Sequence, residues 1–160
     1  MPEYAPGTPS WVELSSPDAD ASAAFYRDVM GWRATEPGPA ETGGYRMFQQ
    51  DGKNVAGLMG HMQAGQPTAW ATYVSVADAD DVAEKVKTAG GSAIVEPMDV
   101  MDIGRMAVFA DPTGAVFGIW QPKSFAGAEA PEWTVTALHV PTSFMPCPLA
   151  SPSVVSCAKV

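Results

Sequence analysis

Asp18-Ala19-Asp20 is repeated sixty positions later as Asp78-Ala79-Asp80, and this repeat decides the fold. Five matches in one order indicate a duplication, because periodic self-similarity is the signature of repeated structural units. The alternative is coincidence in a sequence rich in alanine, aspartate and glycine. The four further matches, spaced 59 to 61 positions apart, are Gly31 with Gly91, Arg46-Met47 with Arg105-Met106, Asp51 with Asp111, and Gly57-Leu58 with Gly118-Ile119.

The first copy predicts a strand, a helix and three further strands. Ala21, Phe25 and Val29 recur at the spacing of one helix face, and Gly31 follows where a left-handed C-cap is favoured. Asp51-Gly52 is a hairpin turn signal between the last two strands. The predicted elements are strands at 10–15, 32–36, 45–50 and 54–60, and a helix at 20–30.

The second copy follows the same order. Val82, Val86 and Ala89 share one helix face, and Asp81 and Lys85 are spaced for an ion pair on another. Asp-Pro-Thr-Gly at 111–114 predicts a turn. Neither copy alone can bury both its sheet and its helix, so we expect the two to pack together. The predicted elements are strands at 70–76, 92–96, 104–110 and 115–121, and a helix at 78–89.

The predicted fold class is therefore α+β. Two tandem βαβββ units, at 8–61 and 68–121, form one domain at 1–122 with a cupped mixed sheet. The remainder, 123–160, is predicted to be an irregular Pro/Ser-rich tail, because prolines interrupt every stretch that could form a helix.

Composition narrows the classes of partner. The chain has 160 residues and a formal net charge of −9, with no dense cluster of Lys or Arg, so neither nucleic acid nor an anionic membrane is an expected partner. No apolar run is long enough to span a bilayer, and the first residues lack a secretory signal. Two cysteines are too few for a disulfide scaffold. We expect a cytoplasmic protein.

Several short motifs resemble a known superfamily. Two βαβββ units in tandem, with Asp-Pro-Thr-Gly at 111–114 before the last strand, resemble the vicinal oxygen chelate superfamily. That group includes glyoxalase I, bleomycin resistance proteins and extradiol dioxygenases. The stretches Trp11-Val12-Glu13-Leu14, Ala24-Phe25-Tyr26 and Gly31-Trp32 resemble one domain, the first half, of tandem glyoxalase-like bacterial proteins, often labelled hydroxylase. The resemblance implies a cup between the two units and, in metal-dependent members, four His, Glu or Gln ligands on the first and last strand of each unit.

The four ligand positions that this resemblance implies hold no ligands. They fall on Trp11, Gly57, Ala71 and Gly118, none of which has a side chain that can coordinate a metal. Glu13 lies two positions away, but one carboxylate does not hold a catalytic ion. We therefore expect neither a metal nor another cofactor. His61 and His139 are interpreted as surface residues, and Cys147 and Cys157 as unreactive thiols.

Alternation along the strands predicts which side chains face the cup. Small residues at three of the four ligand positions should leave room for a ligand, and the aromatic side chains and methionine should give it apolar walls. The residues predicted to bind a ligand are Trp11, Met47, Gly57, Ala71, Val116, Gly118 and Trp120.

Glu13 and Tyr73 are the candidate catalytic residues. A carboxylate on an apolar strand face is costly unless it is paired, so Glu13 is a candidate general base or anchor for a cationic ligand. The alternative is that Glu13 faces solvent or pairs with Arg46 or Arg105 across the sheet. Tyr73 is either a proton donor or a core residue that satisfies its hydroxyl locally.

Three functions remain open from the sequence. The first is a metal-independent, bleomycin-resistance-like module that binds a small aromatic or cationic molecule. The second is a metal-free lyase, isomerase or hydroxylase-like enzyme with Glu13 as general base. The third is a structural half of a two-domain protein, in which the apolar tail drives homodimer formation.

Overall fold

The computed structural model of this chain describes residues 3–62 and 64–129. It confirms the α+β class and the two βαβββ units, and a short 3₁₀ helix (Ala40–Thr42) lies within the first loop. The elements are β1 (Pro9–Ser16), α1 (Ala19–Met30), β2 (Arg33–Ala34), β3 (Arg46–Gln50), β4 (Lys53–Gly60), β5 (Ala69–Ser75), α2 (Ala79–Thr88), β6 (Ser92–Val100), β7 (Gly104–Ala110) and β8 (Val116–Pro122).

The eight strands form one mixed sheet in the order β2-β3-β4-β1-β5-β8-β7-β6. The two units join through β1 and β5, which pair antiparallel at the centre of the sheet. Within each unit the first strand is parallel to the last, β1 to β4 and β5 to β8. The two halves of the sheet therefore repeat one pattern on either side of the β1–β5 pair.

Matching ion pairs support duplication over coincidence. Asp20 at the start of α1 binds Arg46 of β3 at 2.9 Å. Sixty positions on, Asp80 at the start of α2 binds Arg105 of β7 at 2.8 Å. Asp18 and Asp78 cap their helices in the same way, each accepting hydrogen bonds from backbone amides of the first turn. The repeated residues thus make the same contacts in both units.

Both helices cover the same face of the sheet. Ala79 and Ala83 of α2 pack with Phe109 and Ile119, while Ala23 and Tyr26 of α1 pack against a cluster around Phe48. The α1 face predicted from Ala21, Phe25 and Val29 is exposed instead, with 58% exposure at Phe25 and 60% at Val29. The sheet-facing ring is that of Tyr26, which contacts Trp32, Phe48 and Trp70.

Residues 123–129 follow β8 and run back over the sheet. The Trp120 indole N–H donates to the Phe125 carbonyl at 2.8 Å, the Ala128 amide to the Ser10 carbonyl at 2.9 Å, and the Glu129 amide to the Asn54 carbonyl at 2.8 Å. Ala128 is fully buried. The rest of the predicted tail, 130–160, lies outside the described residues, as do His139, Cys147 and Cys157. Within the described ranges, no helix has both the length and the apolar character needed to cross a bilayer.

Candidate functional site

The face of the sheet opposite the helices, called here the helix-free face, carries the residues predicted for the site. Glu13 stands opposite Gly57 of β4 on one side and Ala71 of β5 on the other. Gly57 in turn stands opposite Met47 of β3. Directly opposed residues project to the same face, so these four positions form one row across four strands.

A second row of residues crosses the same face, two positions further along the strands. Trp11 stands opposite Tyr73, which stands opposite Gly118. Val116 and Trp120 flank Gly118 at two positions on either side and therefore share its face. The helix-free face thus brings together all nine residues named from the sequence.

Tyrosine rings occupy the space that the sequence was expected to leave for a ligand. A Cβ atom at Gly57 would overlap the Tyr45 hydroxyl, and one at Gly118 would overlap the ring of Tyr73. The expectation that small residues at these positions open a cavity is therefore corrected for Gly57 and Gly118. Both glycines are buried, because a tyrosine from a neighbouring strand, or from just before one, crosses over each.

Glu13 lies at the centre of a hydrogen-bonded group. The Tyr73 hydroxyl donates to Glu13 Oε1 at 3.4 Å, and the Tyr45 hydroxyl is also hydrogen-bonded to Glu13. The Trp11 indole N–H donates to the Tyr45 oxygen at 3.1 Å, which leaves the Tyr45 proton free to point at Glu13. Two phenols therefore hold one carboxylate.

Burial dominates the acid–base behaviour of this group. It raises the pKa of Glu13 above its ordinary value, while the hydrogen bonds from Tyr45 and Tyr73 act in the opposite direction. Burial also raises the pKa of both tyrosines, to which the Glu13 charge adds. The tyrosines therefore stay protonated at neutral pH and act as hydrogen-bond donors, while Glu13 is the group that titrates.

No described cation neutralises Glu13. Arg46 and Arg105, the partners considered from the sequence, instead bind Asp20 and Asp80. Both arginines lie on the helix-covered face. Arg46 stands opposite Leu58, which packs under α1, and Arg105 is two positions from Ala107, which packs under α2. Within the described residues, Glu13 belongs to no ion pair. A partly buried carboxylate without a cation is therefore a ready acceptor for a positive group from outside.

One end of the helix-free face is closed and the other is open. Trp11 and Trp120 are 6% and 7% exposed, and the Phe125 ring packs edge-on against both, with ring centroids 5.0 and 6.0 Å apart. A role for these two rings in stacking on a ligand stays a prediction. At the other end Val116 is 56% exposed, and Ala71 and Met47 are partly exposed. A ligand would reach Glu13 from that end.

The residues at the expected metal corners do not fit a metal ion. Trp11, Gly57, Ala71 and Gly118 supply no donor atoms, and tyrosine rings cover the two glycines. Among the described residues, no group of three or more His, Cys, Asp or Glu side chains could hold an ion. Glu13 alone would offer one ligand, fewer than a bound divalent cation requires.

A separate cleft of about 430 Å³ lies beside the start of α1. The Asp20–Arg46 ion pair and Gly60 line it, together with the loop glycines Gly43 and Gly44. None of the residues around Glu13 contributes to its wall. The cleft and the helix-free face are therefore different features of the molecule.

Alternation along the strand predicted at 45–50 places Tyr45 on the same wall of the cup as Met47, but it did not indicate the contact of Tyr45 with Glu13. In the structure Tyr45 lies immediately before β3, and its side chain reaches across Gly57. A signal was nevertheless present, because a duplicated cup with glycine at both last-strand positions leaves space that a nearby large side chain fills. Tyr45 and Tyr73 are the two aromatic residues that fill it.

Replacing Tyr45 with phenylalanine should raise the pKa of Glu13 further, because one of the two donors that stabilise its charged form is lost. The pKa is measured by following the Glu13 carboxyl carbon by NMR during a pH titration. The matched control is Tyr26→Phe, whose hydroxyl accepts from Trp70 on the helix-covered face. An unchanged Glu13 pKa in Tyr45→Phe would show that Tyr45 does not hold the carboxylate.

Comparison with known proteins gives the family. The model of the Glyoxalase/Bleomycin resistance protein/Dioxygenase superfamily matches residues 8–119. Anthracycline biosynthesis protein DauV of Streptomyces sp. (strain C5) is 44% identical over 143 residues, covering 81% of this chain and 52% of DauV. Anthracycline biosynthesis protein DnrV of Streptomyces peucetius gives the same identity and the same coverage. The chain thus spans about half the length of these curated relatives.

Solved structures agree on the fold. Methylmalonyl-CoA epimerase from Mycobacterium tuberculosis superposes with a TM-score of 0.54 at 15% identity, covering 76% of this chain and 92% of the epimerase. That identity supports a shared architecture and carries no activity across. With a family model matched over both βαβββ units and relatives at 44% identity, the chain belongs to the Glyoxalase/Bleomycin resistance protein/Dioxygenase superfamily.

Proposed function

We propose that this domain binds a small planar aromatic molecule carrying a positively charged group, without a metal ion, at the open end of the helix-free face. The observation that carries the proposal is Glu13, a partly buried carboxylate held by two phenols and lacking a cation among the described residues. A cation from a ligand would neutralise the carboxylate where the protein does not.

The surroundings of Glu13 support an aromatic ligand. Met47, Ala71 and Val116 are the side chains on its open side, and the tyrosine side chains that cover Gly57 and Gly118 lie beside it. Methionine and small aliphatic groups favour flat apolar surfaces over sugars or phosphates. A net charge of −9 also favours approach of a cation over an anion.

The names of the relatives point the same way. Two curated relatives at 44% identity are called anthracycline biosynthesis proteins. Anthracyclines are planar polycyclic aromatic compounds, which is the ligand shape that the open end favours. The class of ligand is therefore part of this proposal, whereas the reaction or binding step in which those two proteins take part is not.

The test uses proflavine, a planar tricyclic cation, and acridone, a neutral tricycle of similar shape. Fluorescence titration in the presence of EDTA should show saturable proflavine binding that strengthens as pH rises through the pKa of Glu13, because only the charged carboxylate attracts the cation. Acridone should bind at least tenfold more weakly and without this pH dependence. Equal, pH-independent affinities for the two probes would exclude Glu13 as an anchor for a cation.

A second candidate function is a metal-free enzyme with Glu13 as general base. The raised pKa of Glu13 favours it, since a base is most effective when its pKa lies near the working pH. Replacing Glu13 with glutamine distinguishes the enzyme from the binding module. An enzyme would keep much of its affinity for a substrate and lose turnover, whereas a binding module would lose affinity for the cation.

The third candidate is the structural half of a two-domain protein. Coverage of about half of each relative is consistent with it. It makes no use of the Glu13 group, so binding of proflavine that depends on Glu13 would favour the first proposal over this one.

A further inference from the structure

Phe125 covers the aromatic side chains at the closed end of the helix-free face. It has the one large apolar side chain of residues 123–129, which run back over the sheet after β8. Its ring packs edge-on against Trp11 and Trp120 and is itself only partly buried, whereas the two indoles are 6% and 7% exposed. Removing the Phe125 ring would therefore uncover aromatic surface that is otherwise hidden from a ligand.

The backbone at Phe125 is held independently of its ring. The Phe125 amide donates to the Ile103 carbonyl at 3.1 Å, and the Phe125 carbonyl accepts from the Trp120 indole N–H at 2.8 Å. Two residues further on, Gly127 lies so close to the sheet that a Cβ atom there would overlap the Ser10 carbonyl oxygen. The segment should therefore keep its course when the Phe125 side chain is shortened, so that a space opens where the ring was.

The surface that Phe125 covers continues to the Glu13 carboxylate. Trp11 lies two positions before Glu13 on β1, about 7 Å away on the same face of the strand. The Trp11 indole N–H donates to the Tyr45 oxygen at 3.1 Å, and the Tyr45 hydroxyl is hydrogen-bonded to Glu13. An aromatic molecule bound at Glu13 and extending toward the closed end would therefore arrive at the Trp11 ring, where Phe125 already lies.

We propose that Phe125 is a specificity-determining residue, which limits the size of the aromatic cations that bind at Glu13 because its ring occupies the place where their outer rings would stack on Trp11 and Trp120. This role rests on the proposed function, in which Glu13 holds the cation. With Phe125 in place, aromatic rings are accommodated only at the open end beside Met47. With a smaller side chain at this position a ligand extends toward both ends, which favours larger ring systems.

Two fluorescent ammonium ions of different ring size test this role. The smaller is 1-naphthylmethylammonium, with two fused rings, and the larger is 1-pyrenylmethylammonium, with four; both present the same charged group to Glu13. In fluorescence titrations at neutral pH, Phe125→Ala should strengthen binding of the pyrenyl ion about tenfold, the scale of new aromatic contacts. Binding of the naphthyl ion should change less than about twofold, because the open end already accommodates it.

Matched variants show whether the effect belongs to position 125. Phe25→Ala makes the same chemical change on the other face of the sheet, where Phe25 is 58% exposed, and should leave both affinities unchanged. Phe125→Trp keeps the place filled and should give no gain for the pyrenyl ion. Phe125→Leu removes less of the ring contact, so it should fold even if Phe125→Ala does not, and it should give a smaller gain in the same direction. Circular dichroism checks the folding of each variant.

Glu13→Gln distinguishes a failure of this role from a failure of the proposed function. Added to Phe125→Ala, it should weaken binding of both ions about tenfold or more, because both use the carboxylate. If both ions depend on Glu13 but Phe125→Ala and Phe125→Leu leave the ratio of their affinities unchanged, the size limit is overturned and the proposed function stands. If binding of neither ion depends on Glu13, both are overturned.

Discussion

Glu13→Gln should lower the affinity for proflavine at least thirtyfold at neutral pH. Removing one member of a desolvated charge pair costs about 2 kcal/mol or more, which corresponds to that factor. Affinity for acridone should change less than threefold, because the neutral probe does not use the carboxylate. Fluorescence titration of proflavine and of acridone against the original chain and against Glu13→Gln gives the four dissociation constants needed.

The same variant should change the pH dependence of stability. Burial raises the pKa of Glu13 in the folded chain, so the folded state holds this proton to a higher pH than the unfolded state. Stability therefore falls as pH rises from the ordinary glutamate pKa to the raised one, and stays lower above it. Glu13→Gln removes that loss and should be more stable than the original chain at pH 8, with the difference vanishing near pH 4.

Urea unfolding at several pH values measures this effect. Glu36→Gln is the matched control, since Glu36 is exposed and the chemical change is identical. The control should unfold like the original chain at every pH. If Glu13→Gln is destabilised at pH 8, the charged carboxylate is stabilised by its surroundings and the account of its burial is wrong.

Gly118→Ala should have the largest effect on stability. A Cβ atom there would overlap three ring carbons of Tyr73, a buried residue on the neighbouring strand. Overpacking of this kind costs about 3 kcal/mol when the neighbour cannot move away. The backbone of Gly118 has no left-handed conformation to lose, so the effect is one of space alone. Thermal unfolding followed by circular dichroism measures it.

A double-mutant cycle identifies Tyr73 as the cause. In a Tyr73→Ala background the ring is gone, so adding Gly118→Ala should cost less than about 1 kcal/mol. Gly60→Ala is the control, because the nearest neighbour of a Cβ there is a backbone oxygen at 4.0 Å. Equal costs of Gly118→Ala in the two backgrounds would mean that Tyr73 does not fill this space.

The sequence predicted the elements well because each copy repeats the same signals. Two helices and eight strands were expected at the places where they occur, with ends differing by a few residues. The largest difference is β6, which runs to Val100 rather than to residue 96. Pro97 does not end it, because β6 is an edge strand and Pro97 lies where the register with β7 shifts between Val95 and Met98, a position at which a proline is tolerated.

The site was predicted less fully, for reasons of packing. Alternation placed Glu13, Tyr73 and the two glycines on one face, and the register agrees. What alternation could not show is how far a side chain reaches across neighbouring strands. The contact of Tyr45 with Glu13 was therefore not predicted, and the glycines were interpreted as empty space. Similarly, helix periodicity identified an apolar face on α1 but not that Tyr26, on another face, would pack against the sheet.

Titration calorimetry of the metal-free chain with Zn²⁺, Ni²⁺, Mn²⁺ and Fe²⁺ measures whether the helix-free face holds a metal ion. We expect no tight, stoichiometric site that depends on Glu13, so the heats for the original chain and for Glu13→Gln should be the same. One ion bound per chain with a Kd of about 1 µM or tighter, and lost in Glu13→Gln, would contradict it. Such a result would mean that the helix-free face holds a metal through donors other than the four corner residues.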